Sequence, residues 1–419
     1  MADRPDLAEF DLVVACSVWP RSAAQTAHVR ALAGEHVDWD RVARIAVRHG
    51  VSALVVDALE QADIVVPDRL LQVARRRVTA TLRQAGEAVR LRKCFADADI
   101  PVLFLKGTAL AVRLFGRIEL RDAVDIDLAV AADNLPSAWR ILDQAGYRRI
   151  IPRQELSPET RRLFVWAAKD SFHRHGDHGM VVELHWRLSD DLPDPGVPPL
   201  RRWQEVAAMR GEPLATLADE ELFIYLCTHG AAHLWARLKW LVDVGAMISA
   251  SDDGGMRYWT RAQASGAGRA AASAFFLLNE LMGRPLPEGF PVSRPLRVQA
   301  LNWLALRVIR AGDGERDLAD TAYRGWAELT AKLLIAPGMA NLLSVVRRVL
   351  FSAEDIGALG LPMALSFLYP LLRIPLLIVR RWRRSARRST GYREPKPVNR
   401  VLTVRARISM SIQKVKRLI

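Results

Sequence analysis

The chain contains 419 residues, of which 50% are hydrophobic and 25% are charged. This composition is typical of globular proteins, and the length suits two or three domains. The formal net charge of +14 lies almost wholly between Arg380 and Ile419, which hold fourteen Lys or Arg and one acid, so a duplex-binding face on the core is disfavoured.

The cysteines and the first residues indicate the compartment. Cys16, Cys94 and Cys227 are far apart and form neither a metal-binding pattern nor a disulfide framework, which favours a reducing environment. The first residues lack the basic region and the long apolar region of a secretory signal peptide. We therefore expect a cytoplasmic protein.

Residues 11–100 are predicted to be helical. Apolar residues recur with helical spacing after Trp39, and Gly50 supplies a stop signal. Further helices are predicted for residues 52–61 and for a long stretch from Pro67 toward Ala96. The many arginines of that long stretch indicate a solvated helix face.

The next stretch reads as strand, turn, helix and strand. An apolar run that begins at Pro101 ends at Lys106, Gly107 and Thr108, and a helix-like segment follows to Phe115. A second apolar run then carries two aspartates. The order of residues differs from that of a P-loop, in which Gly precedes Lys and Ser or Thr.

The two aspartates, Asp125 and Asp127, are two residues apart, so on a strand they point to the same face. Two such carboxylates can hold Mg²⁺, which prefers oxygen ligands and completes its shell with water and phosphates. Gly107 lets the backbone approach a ligand, and the start of the helix after it suits a phosphate. Lys106 and Arg121 add positive charge. Together these residues predict a site for a metal-bound nucleoside triphosphate.

A later hairpin supplies a third acid. Strands are predicted for residues 147–151 and 180–186, with a turn at residues 176–179 before the latter. Strand alternation puts Glu183 on the face opposite its aliphatic neighbours. His185 shares the face of Glu183, and it is predicted to orient that carboxylate or to contact substrate.

At these residues the chain resembles the DNA polymerase β-like nucleotidyltransferase superfamily. It is most similar to a bacterial branch that reads Leu-Lys-Gly-x-Ala-Leu, then Arg, then Asp-Ile-Asp-Leu, then Glu-Leu-His-Trp, with Thr108 and Glu183 as departures from the Gly or Ser and the Asp of the wider superfamily. The resemblance implies an α+β fold, in which a small mixed sheet with helices is flanked by helical regions. It implies that Mg²⁺ or Mn²⁺ is held by Asp125, Asp127 and Glu183. It also implies that nucleotide is bound by Lys106, Gly107, Thr108 and Arg121.

Helical patterns return after a turn-rich linker at residues 189–199. A helical run over residues 218–235 carries His229 and His233, which are one helical turn apart. Core histidines are one interpretation. The resemblance favours another, in which both line a substrate pocket, because the similar family carries His-x-x-x-His followed by Leu-x-Trp-Leu-x-Asp.

Residues 356–379 are almost entirely apolar and long enough to span a bilayer, but prolines and Arg373 interrupt them. Six arginines follow within residues 380–388. One interpretation is an anchor on the anionic inner face of a membrane, and the other is a helix packed on the domain with a basic tail after it. We expect the chain after Asp355 to be dispensable for chemistry.

The sequence thus predicts a nucleotidyltransferase that takes an NTP, with ATP as the first choice, and an unidentified acceptor in a polysaccharide or natural-product pathway. The alternatives are a non-catalytic nucleotide-binding regulator and a toxin-like enzyme that modifies tRNA or protein. Nucleic acid is disfavoured as a partner because the core is almost neutral. The predicted regions are an N-terminal helical region, a catalytic core, a helical substrate or lid region, and an apolar segment with a basic tail, at residues 1–99, 100–190, 191–350 and 351–419.

Overall fold

The computed structural model of the chain describes residues 8–34, 36–152, 155–189, 203–207, 211–311, 322–361, 363–373 and 375–376. Most of these residues are helical, and a small mixed sheet lies in the stretch that carries the predicted motifs. The α+β fold class predicted from the sequence is therefore confirmed.

Helices fill the chain before the sheet, as its periodicity predicts. They are α1 (Ala8–Cys16), α2 (Ala23–Leu32), α3 (Trp39–His49), α4 (Ser52–Gln61) and α5 (Asp68–Ala96). α3 has a cap at each end. The Asp38 side chain accepts a hydrogen bond from the backbone N–H of Arg41, and Gly50 ends the helix at a φ of 67°, which glycine adopts without strain.

The sheet consists, within the described residues, of β1 (Leu103–Phe104), β2 (Ile126–Ala129), β3 (Tyr147–Ile151), β4 (Asp170–His175) and β5 (Val181–His185). The strands lie in the order β1-β2-β5-β4-β3. Only β2 and β5 of this sheet are parallel, and the other neighbouring strands are antiparallel. The connections contain α6 (Thr108–Phe115), α7 (Leu135–Gln144) and α8 (Pro158–Ala167). The parallel register sets Asp127 directly beside Glu183.

The rest of the described chain is again mainly helical. A short antiparallel pair that the sequence analysis did not predict, β6 (Trp203–Ala207) and β7 (Pro213–Leu217), comes first. The predicted linker before it lies almost wholly outside the described residues. The helices that follow are α9 (Asp219–Ala232), α10 (Leu238–Ser249), α11 (Met256–Ala264), α12 (Gly268–Met282), α13 (Leu296–Ile309), α14 (Ala322–Ile335), α15 (Met339–Leu350) and α16 (Ala353–Leu359).

α9 ends earlier than the predicted run of residues 218–235. The backbones of Leu234 and Trp235 have φ values of 57° and 50°, which no right-handed helix allows. The Trp235 ring then packs over Gly230, where a Cβ would lie 2.2 Å from it. The turn therefore separates α9 from α10, and it fixes where the two helices meet.

Buried apolar side chains in the described residues form two clusters. One joins the N-terminal helices to α9–α14 and includes Leu54, Trp235 and Phe276. The other lies against the sheet and includes Phe95 of α5 and Trp186, which follows β5. The first cluster contains side chains from both of the helical regions that were predicted on either side of the core. The boundaries of the predicted regions stay a prediction.

The start of the apolar C-terminal segment packs on the second cluster. Ile356 and Tyr369 are fully buried, and the Tyr369 hydroxyl accepts a hydrogen bond from the backbone N–H of Leu361 at 3.0 Å. Arg373 pairs with buried Asp355 at 2.9 Å. This packing supports the second interpretation, in which the segment packs on the domain. That the chain after Asp355 is dispensable for chemistry stays a prediction. The basic tail lies outside the described residues.

No helix in the described part of the chain is long and apolar enough to cross a membrane.

Substitution of Tyr369 tests this packing. We expect Tyr369→Ala to lower the free energy of unfolding by about 3–5 kcal/mol, as truncation of a buried ring does. Phe367→Ala is the matched control, because Phe367 is 61% exposed and its loss should change stability by no more than about 0.5 kcal/mol. Urea unfolding of both variants measures the difference. Equal unfolding midpoints would show that the segment is not part of the core.

Candidate active site

The parallel pairing of β2 and β5 brings together the central groups of the site. Asp127 lies beside Glu183 in the register, and His185 is two residues further along β5. One ligand atom from each of these side chains lies within 4.8 Å of the others, which makes them a group that could hold a metal ion. Asp125, which the sequence analysis placed in the metal set, is not in this group and lies just before β2.

Lys106 reaches this group from the end of β1. Its Nζ lies 3.0 Å from Asp127 Oδ1, and the two side chains are only 11% and 4% exposed. The same Nζ lies 5.3 Å from the centre of the Tyr225 ring, so the ammonium also makes a cation–π contact. The predicted phosphate-binding lysine is therefore paired with the central carboxylate.

The carboxylates respond to this crowding in different ways. Burial would raise the pKa of Asp127, but the charge of Lys106 and the nearby His185 ring hold that pKa well below its ordinary value. Burial and the charge of Asp127 raise the pKa of Asp125. Burial and the charges of both aspartates raise the pKa of Glu183 well above its ordinary value. The positive charge of the site is thus sufficient to keep Asp127 ionised. An added cation would favour the ionised forms of Asp125 and Glu183 as well.

His185 directs an unused nitrogen toward the two carboxylates. Its Nε2 lies 3.4 Å from Asp127 Oδ1 and 3.7 Å from Glu183 Oε2. By strict geometry this buried nitrogen has no hydrogen-bond partner among the described residues. Burial and the charge of Lys169 lower the pKa of His185, which keeps the ring neutral and able to act as a ligand. Two carboxylates and a neutral imidazole form a donor set that suits a divalent cation.

Lys169 and Asp170 lie beside Nδ1 of His185, and neither was predicted from the sequence. Asp170 Oδ2 lies 3.9 Å from His185 Nδ1, and Lys169 Nζ lies 2.5 Å from the same carboxylate. At this distance the carboxylate acts on the imidazole ring through its charge. The predicted turn at residues 176–179 was the sequence signal for Asp170. The strands on either side of this turn pair in a register that places Asp170 opposite His185.

The glycine turn lies beside Asp125, as predicted. Gly107 has a φ of 62°, and a Cβ there would lie 3.8 Å from Gln84 Oε1 and 3.9 Å from the Asp125 carbonyl oxygen. α6 begins at the next residue, Thr108, whose buried hydroxyl makes no hydrogen bond with a described residue. Gly107, Thr108, Asp125 and Gln84 line a small cleft. The free N–H groups of α6 and the unpaired hydroxyl suit an anion at this turn.

A protein-family model described as uncharacterised nucleotidyltransferase matches residues 35–283. The chain belongs to this family. The match contains every site residue predicted from the sequence, and the family assignment makes the protein a nucleotidyltransferase. A search of the curated proteins and a search of the solved structures found no significant match.

Arg121 of this nucleotidyltransferase makes a buried ion pair that the sequence did not reveal. Its Nε and Nη2 donate to the two carboxylate oxygens of Asp243, each at 2.9 Å. The side chains are 3% and 0% exposed. The pair joins the segment before β2 to α10, so these two donors are committed to the fold. The predicted contact of Arg121 with phosphate stays a prediction.

The two predicted pocket histidines lie next to each other, and His229 is close enough to Lys106 for that charge to act on its ring. Burial, with the charge of Lys106, lowers the pKa of His229 well below its ordinary value. The His229 ring is 4.9 Å from the His233 ring and 5.1 Å from the Trp240 ring, centre to centre. His233 Nδ1 lies 3.4 Å from Glu328 Oε1. The structure thus places an aromatic group beside the site, and its contact with substrate stays a prediction.

The Arg121–Asp243 pair predicts a stability effect. Asp243→Asn leaves a buried guanidinium without its counter-charge, so we expect the free energy of unfolding to fall by about 3–5 kcal/mol. The double variant Arg121→Met, Asp243→Leu removes both charges and should recover most of that loss. Urea unfolding measures both variants. An Asp243→Asn protein as stable as the wild type would show that the pair is not needed.

Proposed function

We propose that the protein is a metal-dependent nucleotidyltransferase that moves a nucleoside monophosphate from an NTP to an acceptor oxygen and releases pyrophosphate. The observation that carries this proposal is the buried group of Asp127, Glu183 and His185 beside the glycine turn, within the range matched by the family. ATP is the first nucleotide to test, with Mg²⁺ or Mn²⁺. The two carboxylates of the donor set suit both Mg²⁺ and Mn²⁺, so both ions are tested.

Asp127, Glu183 and His185 would hold the ion, and Asp125 would approach it from the cleft of the glycine turn. When bound, divalent ions stabilise the pyrophosphate oxygens and lower the pKa of the attacking oxygen. The chain itself positions the substrate: Gly107 admits the phosphates, and the first N–H groups of α6 donate to them.

Glu183 suits the acceptor side of the reaction. Burial and the neighbouring carboxylates raise its pKa, and a carboxylate with a raised pKa accepts a proton more readily than an ordinary one. Its side chain is 20% exposed, against 4% for Asp127. Glu183 is therefore the acid of the metal group that an acceptor can reach more easily.

The family assignment favours this reading over a non-catalytic nucleotide-binding regulator. A toxin-like enzyme that acts on tRNA or protein would use the same site with a different acceptor. The near-neutral core offers few phosphate contacts for tRNA. We therefore favour a small acceptor in a polysaccharide or natural-product pathway.

Transfer of label from NTP tests the function. We expect the purified protein with Mg²⁺ or Mn²⁺, labelled ATP and cell extract as acceptor source to form a labelled product, and Asp125→Asn to abolish it. That variant should keep its melting temperature or raise it, because the neutral amide removes repulsion from Asp127 at a position where ionisation is already disfavoured.

Asp122→Asn is the matched control, because burial also raises the pKa of Asp122, but Asp122 is not among the residues that line the cleft of the glycine turn. It should retain transfer. Full activity of Asp125→Asn would remove this residue from the site. A wild-type protein with neither labelled product nor nucleotide-dependent thermal shift would contradict the proposed function.

Peripheral contact with an anionic membrane was predicted for the basic tail, which lies outside the described residues. A second feature supports that contact. α15 exposes an apolar stripe and contains no acid; the stripe consists of Met339, Leu343, Val346 and Leu350, which are 70%, 64%, 48% and 38% exposed. Such a stripe, together with the six arginines of residues 380–388, suits the surface of an anionic bilayer.

Vesicle sedimentation tests this contact. The full chain should bind anionic vesicles at low salt, and binding should weaken at high salt because ions screen the arginines. Leu343→Ser should weaken binding at both salt concentrations, whereas Leu296→Ser, at an exposed position of α13, should not. Equal binding to neutral and anionic vesicles would contradict the proposed electrostatic contribution to membrane binding. A concentration-dependent dimer that Leu343→Ser disrupts would assign the stripe to self-association instead.

A further inference from the structure

The ammonium group of Lys106 is paired with a carboxylate that a metal ion would use. Lys106 Nζ lies 3.0 Å from Asp127 Oδ1, and His185 Nε2 lies 3.4 Å from the same oxygen. Asp127 is also a member of the group that could hold a metal ion. The central carboxylate of the site therefore already has a positive partner, supplied by the chain.

A metal ion and this ammonium compete for Asp127. Both side chains are almost completely buried, so water and salt screen their charges little. A divalent cation at Asp127 would lie close to the Lys106 ammonium, and two positive charges at that distance repel each other strongly. Metal binding at Asp127 therefore requires Lys106 to find another partner.

The neighbouring turn offers that partner when it holds an anion. Lys106 directly precedes Gly107, and α6 begins one residue later with N–H groups that have no partner inside the helix. A triphosphate at this turn would bring anionic oxygens to the base of the Lys106 side chain. Lysine can follow such a charge because its ammonium is carried on a flexible four-carbon stem.

We propose that Lys106 makes metal binding depend on nucleotide binding. It pairs with Asp127 until a nucleoside triphosphate reaches the turn at Gly107 and Thr108, and it then pairs with phosphate and leaves Asp127 to the metal ion. This inference rests on the proposed function, because it takes Asp127 as a metal ligand and the turn as the triphosphate site. It adds an order of events, in which the carboxylate group becomes competent only when the nucleotide is present.

Substitution of Lys106 should move two affinities in opposite directions. In Lys106→Met, the affinity for Mn²⁺ alone, measured by electron paramagnetic resonance, should rise roughly tenfold, because the competitor is gone. The affinity for a non-hydrolysable ATP analogue in EDTA should fall roughly tenfold, because a phosphate partner is gone. Both experiments use the full-length protein, and thermal unfolding verifies its fold.

Lys169→Met is the matched control. Lys169 is another lysine beside the site, but it pairs with Asp170 instead of Asp127, so its loss should not produce the paired gain and loss. Lys106→Gln repeats the test with a polar side chain if the Met variant is unstable. A Lys106 that only supports the fold would leave both affinities unchanged or weaken both, and either result overturns the proposal.

The outcomes also separate this inference from the proposed function. Wild-type protein that binds Mn²⁺ alone as tightly as Lys106→Met does would overturn the coupling and leave the metal site intact. Absence of Mn²⁺ binding in every protein, even with the ATP analogue present, would overturn both.

Discussion

The buried carboxylate of Asp127 is the constraint on which the arrangement of the site depends. A charge with 4% exposure is costly unless a counter-charge accompanies it. Lys106 supplies that charge because β1 lies antiparallel beside β2, and the backbone N–H of Leu105 bonds to the Asp127 carbonyl oxygen at 3.0 Å. The chain that leaves β1 thus places Lys106 beside Asp127 of β2. The glycine turn begins at the next residue, Gly107.

The helical regions hold the other wall of the site in place. Tyr225 of α9 contacts Lys106, and Asp243 of α10 fixes Arg121 just before β2. Neither helix could keep these positions without the cluster of buried side chains that joins α9–α14 to the N-terminal helices. The Trp235 ring over Gly230 sets the junction between α9 and α10. The chemistry of the sheet therefore depends on packing that lies far from it in sequence.

Local pattern was enough to predict β3, β5 and the acids. Alternation of apolar residues predicted β3 and β5 within a residue of their observed bounds, and the same alternation predicted the face of Glu183. The turn of Lys106, Gly107 and Thr108 was recognised because glycine and the start of a helix leave a local signature. These features are set by residues that are neighbours along the chain.

Partners of long charged side chains were not predictable in this way. Arg121 and Asp243 are separated by 122 residues, and only the packing of α10 brings them together. Lys106 was predicted to bind phosphate because sequence shows its charge but not the carboxylate opposite it. His185 was predicted to orient Glu183 or to contact substrate, yet its approach to both carboxylates follows from the parallel pairing of β2 and β5, which no local pattern encodes.

The family match covers both the residues of the site and the distant helices that position them. It spans residues 35–283, which correspond to α3 through α12, and so includes the helices that position the site as well as the sheet. Helices α13 to α16 lie beyond it, yet Ile356 of α16 is fully buried against the sheet's own cluster. Packing therefore joins α16, which lies outside the family match, to the core under β5, the strand that carries Glu183 and His185.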